Sequence, residues 1–468
     1  MEMIAIDPAD KEPLYMQLYH HFKVQIEQNR LKEDDRLPSI RGLAQNLSLS
    51  KITVEKAYQQ LLSEGYIENR NRSRYTVNRF EGIAFASASA LPAPDGKTAP
   101  EPVRVRYDFA SGEMDIDGFD FVLWKRYVSK VFLHKERLLG YGHFKGEEEL
   151  RTEIAGYLQK SRGVYADKEQ IIIGPGVQNL LNMLCSMLKA VNSTIAFEEP
   201  GFKNGRRIFA DRNFRIIPIP MKKDGIDMGA LVDCGARLIY VSPSHQFPTG
   251  YIMPAGKRIE LLKWAEKNDG LIIEDDYDSE FRYFGRPIPA LRGLDKGEKV
   301  VYLGSFSKVM PPSIRISYMV LPPLLLELFQ KNASLYNQAA STLEQLALAQ
   351  FMADGHLERQ IRRLRKLYSE KKQLFFNTVK SILGSEVEVK QTESGLHTTI
   401  TVKNGMKAAE LAERALKKGC RVASVQDYYW ESMPEKPVEM ILYFSKIPTD
   451  EMEVALRQLQ DAWFSAAK

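Results

Sequence analysis

Cysteine is scarce: three residues in 468, Cys185, Cys234 and Cys420, lie far apart and fit no metal-ligand spacing. That removes a disulfide framework and a cysteine-built metal centre from consideration, and the thiols are expected to be reduced. No apolar run approaches the ~20 residues of a membrane helix. No signal peptide or lipidation motif is visible, so a cytoplasmic location with no membrane contact is the expectation. Charge of one sign is not in excess either, with 65 Lys and Arg against 60 Asp and Glu, a formal net charge of +5. That balance alone does not announce a nucleic-acid partner. What is present is ordinary for a globular chain, 44% hydrophobic and 27% charged. The length is enough for two or three domains and a large buried core.

The most informative stretch runs from Leu271 to Arg315. Two apolar runs, Leu271-Ile272-Ile273 and Val300-Val301-Tyr302-Leu303, read as buried parallel strands that end in polar residues. Ligands of parallel α/β sheets sit at the carboxyl ends of such strands. One strand end delivers Asp275, Asp276 and Tyr277; the next delivers Ser305, Ser307 and Lys308, with Arg315 shortly after. A carboxylate, a phenol, a lysine and phosphate-binding groups are what pyridoxal 5'-phosphate requires: an amine to form a Schiff base and an acid to keep the pyridine nitrogen protonated.

The strings EDDYDSEF and GSFSK resemble fold-type I aminotransferases, and in particular the MocR/GabR subfamily of GntR-type bacterial regulators. The resemblance implies that Lys308 forms the Schiff base, Asp275 pairs with the pyridine nitrogen and Tyr277 hydrogen-bonds the phenolic oxygen. It also implies that Ser305, Ser307 and Arg315 hold the phosphate.

The N-terminal part has its own pattern. Leu14, Leu18, Phe22 and Ile26 recur at helical spacing, and Pro38-Ser39 opens a second helix. Ser50 is placed as the N-cap of a third helix that stops at Gly65. Two short strands follow around a turn. From Arg70 to Arg79 it carries Arg70, Arg72, Arg74 and Arg79, a local charge of +4 with no acidic residue. The stretch from Leu37 to Glu68 resembles the winged helix-turn-helix of the GntR family. That likeness implies operator DNA as partner, with the third helix in the major groove. Ser50, Lys51 and Thr53 are the candidate base-reading residues, with Arg41 from the second helix and Arg70 and Arg72 from the wing. Wings of the family often carry glycines at the tip, and RNRSRY has none.

Residues 1–79 are therefore expected to form the DNA-binding domain, 80–106 a linker and 107–468 the cofactor-binding effector domain. The linker is rich in Ala, Ser and Pro without amphipathic period, and as a coil it would span about 30 Å. Beyond it helices and strands alternate, the mark of an α/β domain with a mainly parallel sheet. From about Glu386 a small C-terminal α+β subdomain is expected.

Within the large domain, Gln170 to Gln178 reads as a strand, a glycine turn and a helix start, which makes an anion site. The resemblance places the cofactor phosphate on Gly176, Val177 and Gln178. Val177 stands where relatives often have a hydroxyl residue, so its contact would be through backbone alone, weaker by about 1 kcal/mol. Phe202 is implied to stack on the pyridine ring. In SPSHQFPTG, His245 or Gln246 could contact the phenolic oxygen. Near the C-terminus Lys446 stands where aminotransferases use an arginine for the substrate carboxylate, and lysine lacks the bidentate fork. Either Lys446 binds a carboxylate less selectively, or the effector is not a simple amino acid. The resemblance implies a homodimeric regulator that senses an amine, an amino acid or the cofactor itself. The alternative is a working aminotransferase.

Overall fold

The computed structural model describes residues 4, 6–70, 74–79, 104–222, 225–283, 288–390, 392–430 and 438–465. Two compact units divide between Pro102 and Val103.

In the first unit α1 (Leu14–Glu27) buries Leu18, Tyr19, Phe22 and Ile26, one stripe at helical spacing. The short α2 (Ile40–Asn46) is capped by Ser39, whose Oγ accepts the Gly42 N–H at 3.1 Å. Ser50 caps α3 (Lys51–Ser63) in the same way, accepting from the Thr53 N–H at 3.1 Å. Gly65, with φ +76°, ends the helix and lets the chain turn into β1 (Ile67–Arg70). This strand pairs antiparallel with β2 (Arg74–Val77), Ile67 opposite Val77. Val54, Ala57, Tyr58 and Leu61 of α3 fill the centre of the core, and the Tyr58 hydroxyl donates to the Pro38 carbonyl at 2.9 Å. The three helices and hairpin expected from the sequence are all present. Arg72 and the side chain of Arg70 lie outside the described residues, as does most of the expected linker.

The second unit begins on β3 (Tyr107–Asp108). Its central sheet contains β4 (Ile171–Gly174), β5 (Thr194–Glu199), β6 (Arg215–Lys222), β7 (Gly225–Ile226), β8 (Leu238–Val241), β9 (Leu271–Asp276), β10 (Val300–Ser305) and β11 (Ser317–Val320). The spatial order is β4-β11-β10-β9-β8-β5-β6-β7. The middle run β10-β9-β8-β5-β6 is parallel; β11 and β7 join it antiparallel, and β4, antiparallel to β11, runs the same way as the middle strands. Every residue of β8 and β9 is buried, as strands with helices on both faces must be. Leu303 of β10 lies opposite Asp275 of β9, so the two polar strand ends are side by side.

A smaller sheet follows: β12 (Val387–Val389), β13 (His397–Val402), β15 (Ala423–Ser424) and β16 (Glu439–Tyr443), in the order β12-β13-β16-β15. The 27-residue helix His356–Ile382 joins the two parts, packing Leu357, Ile361, Leu364 and Tyr368 into one core and Phe375 and Val379 into the other. The small subdomain is not purely C-terminal. β14 (Cys420–Arg421) pairs in parallel with β3, and Tyr107 and Phe109 are buried in its core. The Arg106 N–H already donates to the Gly419 carbonyl at 2.8 Å, so packed chain starts before the expected end of the linker. Two aromatic side chains explain why: both bury more favourably than a linker allows.

Candidate cofactor site and nucleic-acid surface

The carboxyl ends of β5, β8, β9 and β10 surround a cavity of about 500 Å³. Ser305, Ser307 and Lys308 enter from β10, Asp275 and Tyr277 from β9, and Phe202 from the turn after β5. Val177 closes one end, while Phe247, Tyr428 and Tyr443 form an aromatic wall.

Lys308 donates from Nζ to the Gly112 carbonyl at 2.7 Å. Burial pushes its pKa below the ordinary lysine value, which raises the fraction of neutral, nucleophilic amine. A Cβ on Gly112 would stand 2.6 Å from that nitrogen and 2.5 Å from Tyr443 Cε1, so this approach requires glycine.

Asp275 accepts from the Tyr240 hydroxyl at 2.6 Å, and burial pushes its carboxyl up to about 7. A cationic partner at that carboxylate would reverse the shift, because an opposite charge favours ionisation. Its neighbour Asp276 faces away, held by Arg162 Nε at 2.6 Å and the Tyr302 hydroxyl at 2.5 Å. Strand alternation thus divides the acidic pair into one cavity group and one structural anchor.

Behind the cavity the Tyr277 hydroxyl lies 3.0 Å from His245 Nδ1, which also meets Asp278 Oδ2 at 2.8 Å. A carboxylate can only accept, so Nδ1 carries its hydrogen toward Asp278. The Tyr277 hydrogen is then available to an acceptor in the cavity. His245 itself is fully enclosed, and Gln246 is spent on the Pro200 and Phe247 carbonyls at 2.8 and 2.7 Å. Neither lines the cavity; the residue before the Pro-Thr-Gly turn that does is Phe247.

The opposite end is built for an anion. Ser305 Oγ is 2.9 Å from the hydroxyls of both Ser307 and Ser317, a short chain of rotatable donors. The helix Val177–Leu188 starts beside them after Gly176, at φ +106°. Its first N–H groups have no partner within the helix, which favours an anion there. Arg315 Nη2 donates to the Pro175 carbonyl at 2.9 Å, and a Cβ on Gly176 would fall 2.5 Å from it. Gln178 and Arg315 are exposed at the rim of this corner. Phe202 stands 6.0 Å from Tyr240, its ring stacked at 28°.

A half-buried amine, an acid awaiting a cation, a phenol with a free hydrogen, an aromatic face and an anion corner fit pyridoxal phosphate. Sequence does not single out Gly112, Tyr443 or Ser317: the first two reach the site from remote segments, and Ser317 meets Ser305 only through the pairing of β10 with β11. Lys446 is elsewhere. It pairs with Glu113 Oε2 at 2.5 Å, half exposed, and does not line the cavity.

On the first unit Lys51 and Arg41 are exposed. Ser50 and Thr53 are turned to each other, hydroxyl to hydroxyl at 2.8 Å, completing the cap of α3.

The fold and the cavity define a DNA-binding domain joined to a domain of the pyridoxal-phosphate-dependent aminotransferase class. The family model "Bacterial regulatory proteins, gntR family" matches residues 14–77, and "Aminotransferase class I and II" matches residues 107–435. The HTH-type transcriptional regulator YdeL of Bacillus subtilis (strain 168) is 40% identical over 452 residues, covering 96% of this chain and 97% of the relative. The probable rhizopine catabolism regulatory protein MocR of Rhizobium meliloti is 31% identical over 476 residues, covering 99% and 96%. Among solved structures, the kynurenine aminotransferase of Pyrococcus horikoshii superposes with a TM-score of 0.68 at 23% identity, over 77% of this chain and 91% of the enzyme, a likeness of fold. The chain belongs to the MocR-type branch of the GntR regulators, helix-turn-helix proteins with a fused aminotransferase class I/II domain. Among the described residues no helix is long and apolar enough to cross a membrane.

Proposed function

We propose that this protein is a cytoplasmic, homodimeric transcription regulator that holds pyridoxal phosphate on Lys308 and reads an amine effector through it. The observation that carries the reading is the half-buried Lys308 amine lining one cavity with Asp275 and Tyr277. When bound, the cofactor supplies an electrophilic carbon to which an amine can add.

The chain's own residues do the rest. Gly112 orients the lysine nitrogen, and burial keeps part of it neutral. Asp275, ionised once a cation meets it, holds the proton on the pyridine nitrogen. Tyr277 would give its hydrogen to the phenolic oxygen, because His245 Nδ1 already carries one toward Asp278 and cannot accept it. Ser305 and Ser307, the N–H groups of Val177 and Gln178 at the turn after Gly176, and Arg315 would take the phosphate, and Phe202 would cover the ring. Lys446 is released to an effector carboxylate only if that group displaces Glu113. Exposed Leu139 and Tyr141, 89% and 91% accessible, support a subunit contact on that face. Effector binding would change the populations of two domain arrangements and so the spacing of paired α3 helices on operator DNA.

Purified protein incubated with pyridoxal phosphate should gain visible absorbance that Lys308→Ala abolishes. Absorbance that survives in the variant removes Lys308 from its role. The complete set of lysine, aspartate and tyrosine also suits a working aminotransferase. Sustained formation of a keto product from an amino donor and a keto acid acceptor would favour that reading.

A further inference from the structure

We propose that Ile52 reads a thymine in the major groove, by contact with its 5-methyl group. This rests on the DNA-binding reading of the N-terminal unit and goes beyond it.

The core stripe of α3 is Val54, Ala57, Tyr58 and Leu61. At 3.6 residues per turn, Ile52 lies roughly 160° around the axis from Val54, at the middle of the outward face. It is 65% exposed and belongs neither to the core cluster of the unit nor to the partly buried residues packed on it. A β-branched residue here gains no burial and lowers helix propensity. Its neighbours sharpen the point. Ser50 and Thr53, which could read base edges by hydrogen bonds, spend their hydroxyls on each other and on the helix cap. Lys56, one turn on, leans back so that Nζ lies 5.8 Å over the Tyr15 ring. The first turn of α3 therefore offers a duplex two free side chains, the cation Lys51 and the branched hydrocarbon Ile52.

In docked helix-turn-helix domains the N-terminal residues of this helix meet base edges. Lysine there suits a phosphate or a guanine edge. The one hydrocarbon displayed by a major-groove edge is the thymine methyl, and apolar side chains recognise it by contact. Burying both surfaces strengthens binding without orienting a donor or acceptor.

The test uses the full-length protein at fixed salt. Sites are enriched from a random-sequence duplex pool, and the best site is resynthesised with deoxyuridine replacing each thymidine in turn. The exchange removes one methyl and leaves every hydrogen-bonding group in place. Wild type should lose affinity about fourfold per half-site at one thymine. Ile52→Ala should bind the thymidine and deoxyuridine forms equally, at the level of wild type on deoxyuridine. Ile52→Val, which keeps a branched tip, should still distinguish them. The proposal is overturned if wild type is indifferent to every exchange, if no thymine is enriched, or if Ile52→Ala discriminates as wild type does. Wild type that retains no DNA from the pool would instead overturn the DNA-binding reading itself.

Discussion

The wall of the cavity and the C-terminal rim beyond its lining, where Lys446 meets Glu113, use the same kinds of group to opposite effect. At the wall Lys308 is half-buried and Asp275 buried, and desolvation moves each toward its neutral form. At the rim Lys446 and Glu113 are 44% and 54% exposed, and the lysine beside Glu113 holds that carboxyl below its usual range. The wall groups await a charged partner; the rim groups already have one. Desolvation sets the state of the wall groups, whereas a neighbouring opposite charge sets that of the rim carboxyl.

The strongest way to break that contrast is at Lys371, which ties the two regions together. Its buried ammonium is paired with Asp115 and donates to the Ser445 and Ile447 carbonyls at 2.9 and 2.6 Å. Lys371→Met should cost about 3–5 kcal/mol in denaturant unfolding, because Asp115 is left as an uncompensated buried charge. A loss under about 1 kcal/mol would show that the site does not depend on this tether.

Gly112→Ala tests the wall itself. The added methyl collides with Tyr443 and the Lys308 amine, so about 1–3 kcal/mol of stability and most cofactor uptake should be lost together. Uptake at the wild-type level would mean that Lys308 does not need its place on that carbonyl.

Asp275→Asn addresses the stored proton. Its carboxyl ordinarily titrates near 3.8 and is raised to about 7 in the folded, cofactor-free protein. Across that window the folded chain keeps a proton that the unfolded chain has released, so this group's stabilisation declines as pH rises. The variant should show a shallower fall in stability from pH 4 to 7. Equal slopes would place the titration elsewhere.

The smallest effect belongs to the rim. Lys446→Met should change stability by less than about 1 kcal/mol, as exposed ion pairs do. It should, however, weaken spectral titration by amino acids more than by simple amines. Equal weakening of both would remove Lys446 from carboxylate recognition.

How far the chain could be read from its sequence depended on distance along it. The three N-terminal helices were legible because periodic apolar residues and the caps Ser39 and Ser50 act locally. Asp275, Tyr277 and Lys308 were legible because buried strands end abruptly in reactive residues. Gly112 and Ser317 carry no local mark; their meaning comes from Lys308 and Ser305, met only in the folded chain. Lys446 was placed by its strand end, but its partner Glu113 is 333 residues away. The same holds for Ser50 and Thr53. Sequence placed them on the reading face, and only geometry reveals that each occupies the other.

The turn at Gly112 gives its carbonyl to the very nitrogen that a coenzyme would claim. Three residues further on, Asp115 is clasped by Lys371, which also grips the strand end bearing Lys446. Were a coenzyme to take that nitrogen, this short bend would lose a single donor. A latch so small would need no large rearrangement to register that loss.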